Sequence, residues 1–159
     1  MPKLKPRRRT KRRIFIAYGH DPVRNELASY LRRLDLEPIL LCHQPREGRT
    51  LIEAIFHHLE RSDFVIVLLT ADDEGHRIGR TEEKKSRARQ NVVLELGIAL
   101  GLLGRSRVLV LYRRGVELPS DLQGLHYVEI GSLGDAKLKI LAELKAARIP
   151  VDANKAFES

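Results

Sequence analysis

Phe64 to Leu69 reads FVIVLL, six apolar residues in a row with no polar alternation. Such a strand is buried on both faces, and sheets of that kind are parallel and covered by helices on either side. The flanking segments agree. Arg13 to Tyr18 (RIFIAY) predicts a first strand, Pro38 to Cys42 a second, Val108 to Tyr112 (VLVLY) a fourth and Tyr127 to Ile130 a short fifth. Helical patterns lie between them. Asp21-Pro22 places a cap before a proline, and Val23, Leu27, Tyr30, Leu31 and Leu34 then recur at helical spacing. Thr50 to Glu53 (TLIE) reads as a capping box for a second helix with Leu51, Ile55 and Leu59 turned inward. Asn91 can cap a third helix that runs to about Leu103 and ends at Gly104, and Ala136 to Arg148 closes the chain's periodic part. Ala71 to Gln90 is polar and without a steady period, which predicts a loop with a loose helical turn. The alternation implies an α/β fold: a five-stranded parallel sheet, helices on both faces, in the flavodoxin-like order 2-1-3-4-5.

Composition bounds the rest. A chain of 159 residues with 43% hydrophobic content can bury one core. Its net charge of +8 suggests a polyanion binder until the charge is located. Eight basic residues and no acid fall within the first thirteen positions, and the other 21 basic residues equal the 21 acidic ones. The body is therefore balanced, and residues 1–12 read as a disordered basic tail that either touches nucleic acid or anionic lipid weakly or only solubilises. Residues 13–148 form the predicted domain, and 149–159 a C-terminal tail. Cys42 is the only cysteine, which excludes an internal disulfide and a cysteine-based metal site. The six histidines show no metal-ligand spacing, so no metal is expected. The longest apolar run, Val92 to Leu103, is broken by Glu95 and too short to span a bilayer, and no secretory signal is read. A cytoplasmic location is the expectation.

Ligands of such sheets bind at the carboxyl ends of the strands, near the switch in strand order. Gly19-His20-Asp21, Arg46-Glu47-Gly48-Arg49-Thr50 and Asp72-Asp73 follow the first three strands. Each also has a plainer use, since Asp21 and Thr50 can cap helices and Asp72-Asp73 can form a solvated turn. Arg46 and Arg49 flank a glycine just before a helix start, where backbone N–H groups and the helix dipole favour an anion such as a nucleotide diphosphate. The lysine-bearing phosphate loop and the spaced glycines of dehydrogenases are absent, which argues against phosphoryl and hydride transfer.

Glu95 stands out further. Every other residue from Val92 to Leu103 is apolar or glycine, so this helix is expected to be largely buried. A lone buried carboxylate is costly unless it is paired or opens on a cleft. Two uses remain open: a site residue helped to ionise by the helix dipole, or a structural ion pair with Arg87 or Arg89.

Six strings occur in fixed order: FIAYGHD from Phe15, GRTLIEA from Gly48, VIVLLTADDEG from Val65, RARQNVVLELG from Arg87, LGRSRV from Leu103 and VELPSDLQG from Val116. Together they resemble the predicted nucleotide-binding TIR-like domains of bacterial anti-phage effectors, as in TIR–STING fusions and Pycsar TIR effectors. The resemblance spans about residues 13–148. It implies a TIR fold and NAD+ hydrolysis at the nicotinamide–ribose bond, with NAD+ as substrate and no cofactor. It implies Glu95 as the catalytic glutamate and Arg46, Gly48 and Arg49 as a loop bordering substrate. Tyr18, Gly19 and Asp73 are further implied contacts, although Tyr18 stands where relatives often carry histidine or serine. Such domains are switched on by assembly. With no space here for the usual sensor domain, a homo-oligomer or a separate sensor protein is implied. The rival readings are a non-catalytic TIR module that binds nucleotide or partner TIR domains, and a domain tethered to nucleic acid by its tail.

Overall fold

In the computed structural model, which describes residues 10–122 and 124–156, the predicted sheet is present. Five strands lie parallel: β1 (Arg13–Ala17), β2 (Glu37–Ile39), β3 (Phe64–Leu69), β6 (Val108–Arg113) and β8 (Tyr127–Ile130). Their spatial order is β2-β1-β3-β6-β8, the expected 2-1-3-4-5. Between β3 and β8 the chain adds β4 (Asp73–Gly75), β5 (Lys85–Arg87) and β7 (Val116–Glu117), which form a separate small sheet in the order β4-β5-β7.

β3 sits at the centre and every one of its residues is buried. Its alternate side chains feed two cores. Phe64, Ile66 and Leu68 join Ile14, Ile16, Leu109 and Leu111 beneath helices α1 (Val23–Arg33) and α4 (Leu133–Ala146). Val65, Val67 and Leu69 join Phe15, Ala17, Val108 and Val110 beneath α2 (Leu51–Glu60) and α3 (Gln90–Leu103). Each such side chain removed from water contributes about 1.5–3 kcal/mol, so this strand anchors both layers.

The caps follow the sequence in part. Glu53 N–H donates to Thr50 Oγ1 at 3.4 Å and Thr50 N–H donates to Glu53 Oε2 at 2.8 Å, a full capping box. At α1 the expected arrangement shifts by one residue: Pro22 takes the cap position, the helix starts at Val23, and Asp21, just before the cap, accepts from Val23 N–H with Oδ1 at 2.9 Å. α4 begins three residues earlier than expected, behind a box formed by Ser132 and Asp135.

Several expectations are corrected. Asn91 does not cap α3: it lies inside the helix, and Arg89 precedes the first turn without a side-chain bond. Leu51 does not turn inward but is 45% exposed at the first turn of α2. α3 is not buried all round. Val92, Leu96 and Ala99 face the sheet, whereas Leu94 is 53% and Leu102 43% exposed. Its apolar composition misleads because a helix that covers one face of a sheet needs only one buried stripe. The stretch from Ala71 to Gln90 holds the expected loose helical turn, at Thr81–Glu83, but also an antiparallel pair, Asp73–Gly75 against Lys85–Arg87, that was not expected. Residues 149–156, assigned to a tail, return Ile149 and Ala156 to the core under α1 and α4. Residues 1–9 of the basic tail lie outside the described residues, while Lys11 pairs with Asp35 and Arg12 with Asp63. Among the described residues no helix is long and apolar enough to cross a membrane.

Candidate active site

The carboxyl ends of β1 and β2 and the start of α3 enclose a pocket of about 240 Å³. β1 runs out at Ala17, and the next residue, Tyr18, supplies one wall. β2 is followed by a single tight turn that presents Leu41 and Cys42, and the loop beyond it adds Gln44 and Arg46. Leu51 of α2 lines the pocket, which explains its exposure. The segment entering α3 contributes Arg89 and Asn91, and Glu95 closes the set.

Glu95 is half-buried, and burial pushes its carboxyl up to about 7 while the nearby Arg89 guanidinium pulls the other way. It is the sixth residue of α3, beyond the first turn in which the helix dipole acts, so the dipole does not offset its loss of solvent. The ion-pair alternative is resolved by Arg87, which is engaged by Glu117, while Arg89 lines the pocket and makes no hydrogen bond with Glu95. Among the described residues Glu95 has no salt-bridge partner, and it opens on a cavity instead.

Tyr18 is held in place from both sides. Cys42 N–H donates to its Oη at 3.4 Å, and the Arg24 guanidinium lies 5.0 Å from its ring centroid. Burial, with the Cys42 contact second, pushes the phenol up to about 12, so Tyr18 stays a neutral donor. Arg24 also donates to Gly19 O at 3.0 Å.

The structure separates the remaining sequence-derived residues. Tyr18 and Arg46 share the pocket with Glu95. Gly48 lies outside that lining with φ of +81°, after Glu47 at +51°, and its place is conformational: two left-handed residues turn the chain into α2. Arg49 pairs with Glu47 at 2.7 Å and does not line the pocket. Gly19 lies against Asp72. Asp73 belongs to β4 and lines a second, larger groove of 1110 Å³ bordered by Arg87, Gln90 and Glu117. Sequence reasoning considered Arg89 only as an ion-pair partner for Glu95 and Asn91 only as a helix cap, and it missed Cys42 and Gln44, whose only signal was nearness to the end of β2. It also missed Arg113, which grips Asp21 at 2.9 and 3.2 Å from the end of β6 and holds the Asp21 carboxyl below its ordinary range.

A flavodoxin-ordered sheet with a glutamate-bearing pocket over the ends of β1 and β2 defines a TIR-type domain. Its fold agrees with the TIR domain of the Toll-related receptor TRR-2 from Hydra magnipapillata (TM-score 0.59, 18% identity, 85% of this chain and 97% of that one). It agrees also with the CMP N-glycosidase BcmB of Clostridium botulinum (TM-score 0.55, 12% identity, 81% and 98%). Residues 13–132 match the family model described as CAP12/Pycsar effector protein, TIR domain, and the chain belongs to that family. Among its relatives, the uncharacterized protein YuaY of Escherichia coli (strain K12) is 42% identical over 93% of this chain and 50% of its own length. Protein tirC of Dictyostelium discoideum is 33% identical over 79% and 66%. The Pycsar effector protein PaPycTIR of Pseudomonas aeruginosa is 40% identical over 50% and 26%. The chain thus spans two thirds or less of the length of these relatives.

Proposed function

We propose that this domain hydrolyses NAD+ at the bond between nicotinamide and ribose, releasing nicotinamide and ADP-ribose or its cyclised form. The observation that carries this reading is Glu95: a half-buried carboxylate, without a salt-bridge partner among the described residues, in a pocket that two guanidinium groups also line.

The chemistry suits those groups. The nicotinamide of NAD+ is cationic and leaves neutral, so the bond needs no strong acid. It needs a negative charge beside the anomeric carbon as the ribose becomes oxocarbenium-like, or a carboxylate that attacks it. A cation entering the pocket favours the ionised form of a carboxyl poised near 7, and a dry site strengthens the attraction. Arg46 and Arg89 are placed to meet the diphosphate, and Tyr18 offers a ring wall and a neutral hydroxyl. Water then takes the glycosyl position, so the products are nicotinamide, ADP-ribose and a proton.

A pocket of 240 Å³ is smaller than typical small-molecule sites of about 300–1000 Å³, and it receives the nicotinamide–ribose half of the substrate. Completion by a neighbouring copy or a sensor protein accords with the apolar surface left open on α2 and α3 at Ile52, Phe56 and Leu94. In this reading the domain serves an anti-phage response when assembled. The same surface favours a second reading, a non-catalytic module that signals by assembly alone. Concentrated protein incubated with NAD+ tests the two: nicotinamide in amounts equal to the sum of linear and cyclised ADP-ribose supports catalysis, and assembly without either product leaves the module.

A further inference from the structure

Asp72 lies outside the pocket, yet it ties together the two segments that build it. Its Oδ1 accepts from His20 N–H at 2.8 Å, and its Oδ2 accepts from the Thr70 hydroxyl at 2.6 Å. Its own N–H donates to Arg87 O at 3.1 Å. The side chain therefore fixes the loop that leaves β1 through Tyr18, and the backbone fixes the end of β5, two residues before Arg89. Tyr18 and Arg89, carried by these two segments, both line the Glu95 pocket.

The fit at Gly19 is tight. A Cβ there would lie 2.0 Å from Asp72 Oδ2 and 2.5 Å from its Cγ, far inside contact distance. A side chain at Gly19 therefore requires the Asp72 carboxylate to move, against the bonds to His20 and Thr70 that hold it there. The same loop carries the Arg24–Gly19 bond and the Tyr18 ring.

The geometry points to Asp72 as a positioning residue: through Gly19 and His20 it sets Tyr18 against Glu95 without touching substrate. This rests on the reading of the pocket as an NAD+-cleaving site. Thr70 is buried and Asp72 meets it and the loop with separate oxygens, so the pairing geometry matters more than the charge. Asparagine preserves it. Its Oδ1 accepts from His20 N–H, and its amide donates to Thr70 Oγ1, whose hydroxyl hydrogen is free to rotate.

The test measures kcat and KM for nicotinamide release in the full chain, with amide hydrogen exchange at His20 as a second readout. Asp72→Ala lowers kcat about tenfold or more with little change in KM, since misplacement of about 1 Å carries that cost, and it speeds exchange at His20. Asp72→Asn recovers most of the lost rate and keeps His20 protected. Gly19→Ala, acting from the other side of the contact, reproduces the Asp72→Ala defect, and the double variant is no worse than either single one. Should Asp72→Ala fail to fold, Gly19→Ala and Asp72→Asn carry the same comparison. Wild-type kcat in Gly19→Ala or Asp72→Ala overturns the proposal, and so does an Asp72→Asn variant as slow as Asp72→Ala, which would make the charge itself the working group. A wild-type chain without NAD+ cleavage removes the reading of the site and this proposal with it.

Discussion

At the scale of the residue, the burial of Glu95 costs stability at neutral pH. Burial raises its carboxyl from 4.5 to about 7. The folded state therefore holds a proton that the unfolded chain has already released, and stability falls as pH rises between those values. Glu95→Gln removes that penalty and raises stability above pH 7 by up to about 3 kcal/mol, measured as a denaturation midpoint that no longer declines between pH 5 and 8. A midpoint below that of the wild type at pH 8 would show Glu95 to be paired after all. The same titration governs the rate: with the carboxylate as the working form, kcat/KM climbs with pH and levels off above about 7. A profile flat from pH 5 to 9 contradicts this. Glu95 was legible in the sequence as the sole charge in an apolar run. What opposed its charge was not, because choosing between Arg87 and Arg89 requires knowing that Arg87 is drawn to Glu117 in β7, thirty residues on.

At the scale of the element, the loop before α2 gives its two arginines different surroundings. Arg46 faces the pocket, whereas Arg49 is held by Glu47 at the turn into α2. Arg46→Ala is expected to raise KM about tenfold, the loss of one charged contact to a diphosphate, while Arg49→Ala changes KM little. Equal effects would extend the anion site to the whole loop. A second joint lies across the sheet, where Arg113 at the end of β6 grips Asp21 at the start of α1. Folding lowers the Asp21 carboxyl, so its contribution is complete above the ordinary carboxylate range and is lost as pH falls through the lowered value. Asp21→Asn costs about 1 kcal/mol at neutral pH, and the difference from wild type closes in acid. A difference that persists at low pH would place the effect in the helix cap alone. Local signals marked the start of α2 well, since Thr50 needed only its neighbours, and missed that of α1 by one residue, where Pro22 takes the cap. They failed for α3 and for β4, β5 and β7. An apolar helix on one face of a sheet looks buried in one dimension, and strands of two or three residues leave no period to read.

At the scale of the whole molecule, the parallel α/β architecture was legible from the alternation of strands and helices, and the order 2-1-3-4-5, which spacing alone does not give, matched the arrangement five such units most often adopt. The return of Ile149 and Ala156 to the core was not, because two apolar residues in a short terminal segment carry no pattern. Charge also belongs to this scale. Lacking residues 1–12, the chain keeps 22 basic residues against 21 acidic ones, since Arg13 remains. Its deletion variant is expected to cleave NAD+ at the wild-type rate and to lose salt-sensitive binding to nucleic acid or anionic vesicles. Strong binding by the shortened chain would locate the polyanion surface on the body. Assembly through the open faces of α2 and α3 predicts specific activity that rises with protein concentration in step with light scattering. Constant, high activity in a strict monomer would show the pocket complete in one chain.

The proposed role of Glu95 on the nicotinamide–ribose bond is tested by nicotinamide release from NAD+ by concentrated wild-type and Glu95→Gln proteins, both shown to be folded. Release by the wild type and a loss of a hundredfold or more in the variant, about 3 kcal/mol of transition-state stabilisation, are expected. A folded Glu95→Gln protein that releases nicotinamide at the wild-type rate would contradict it.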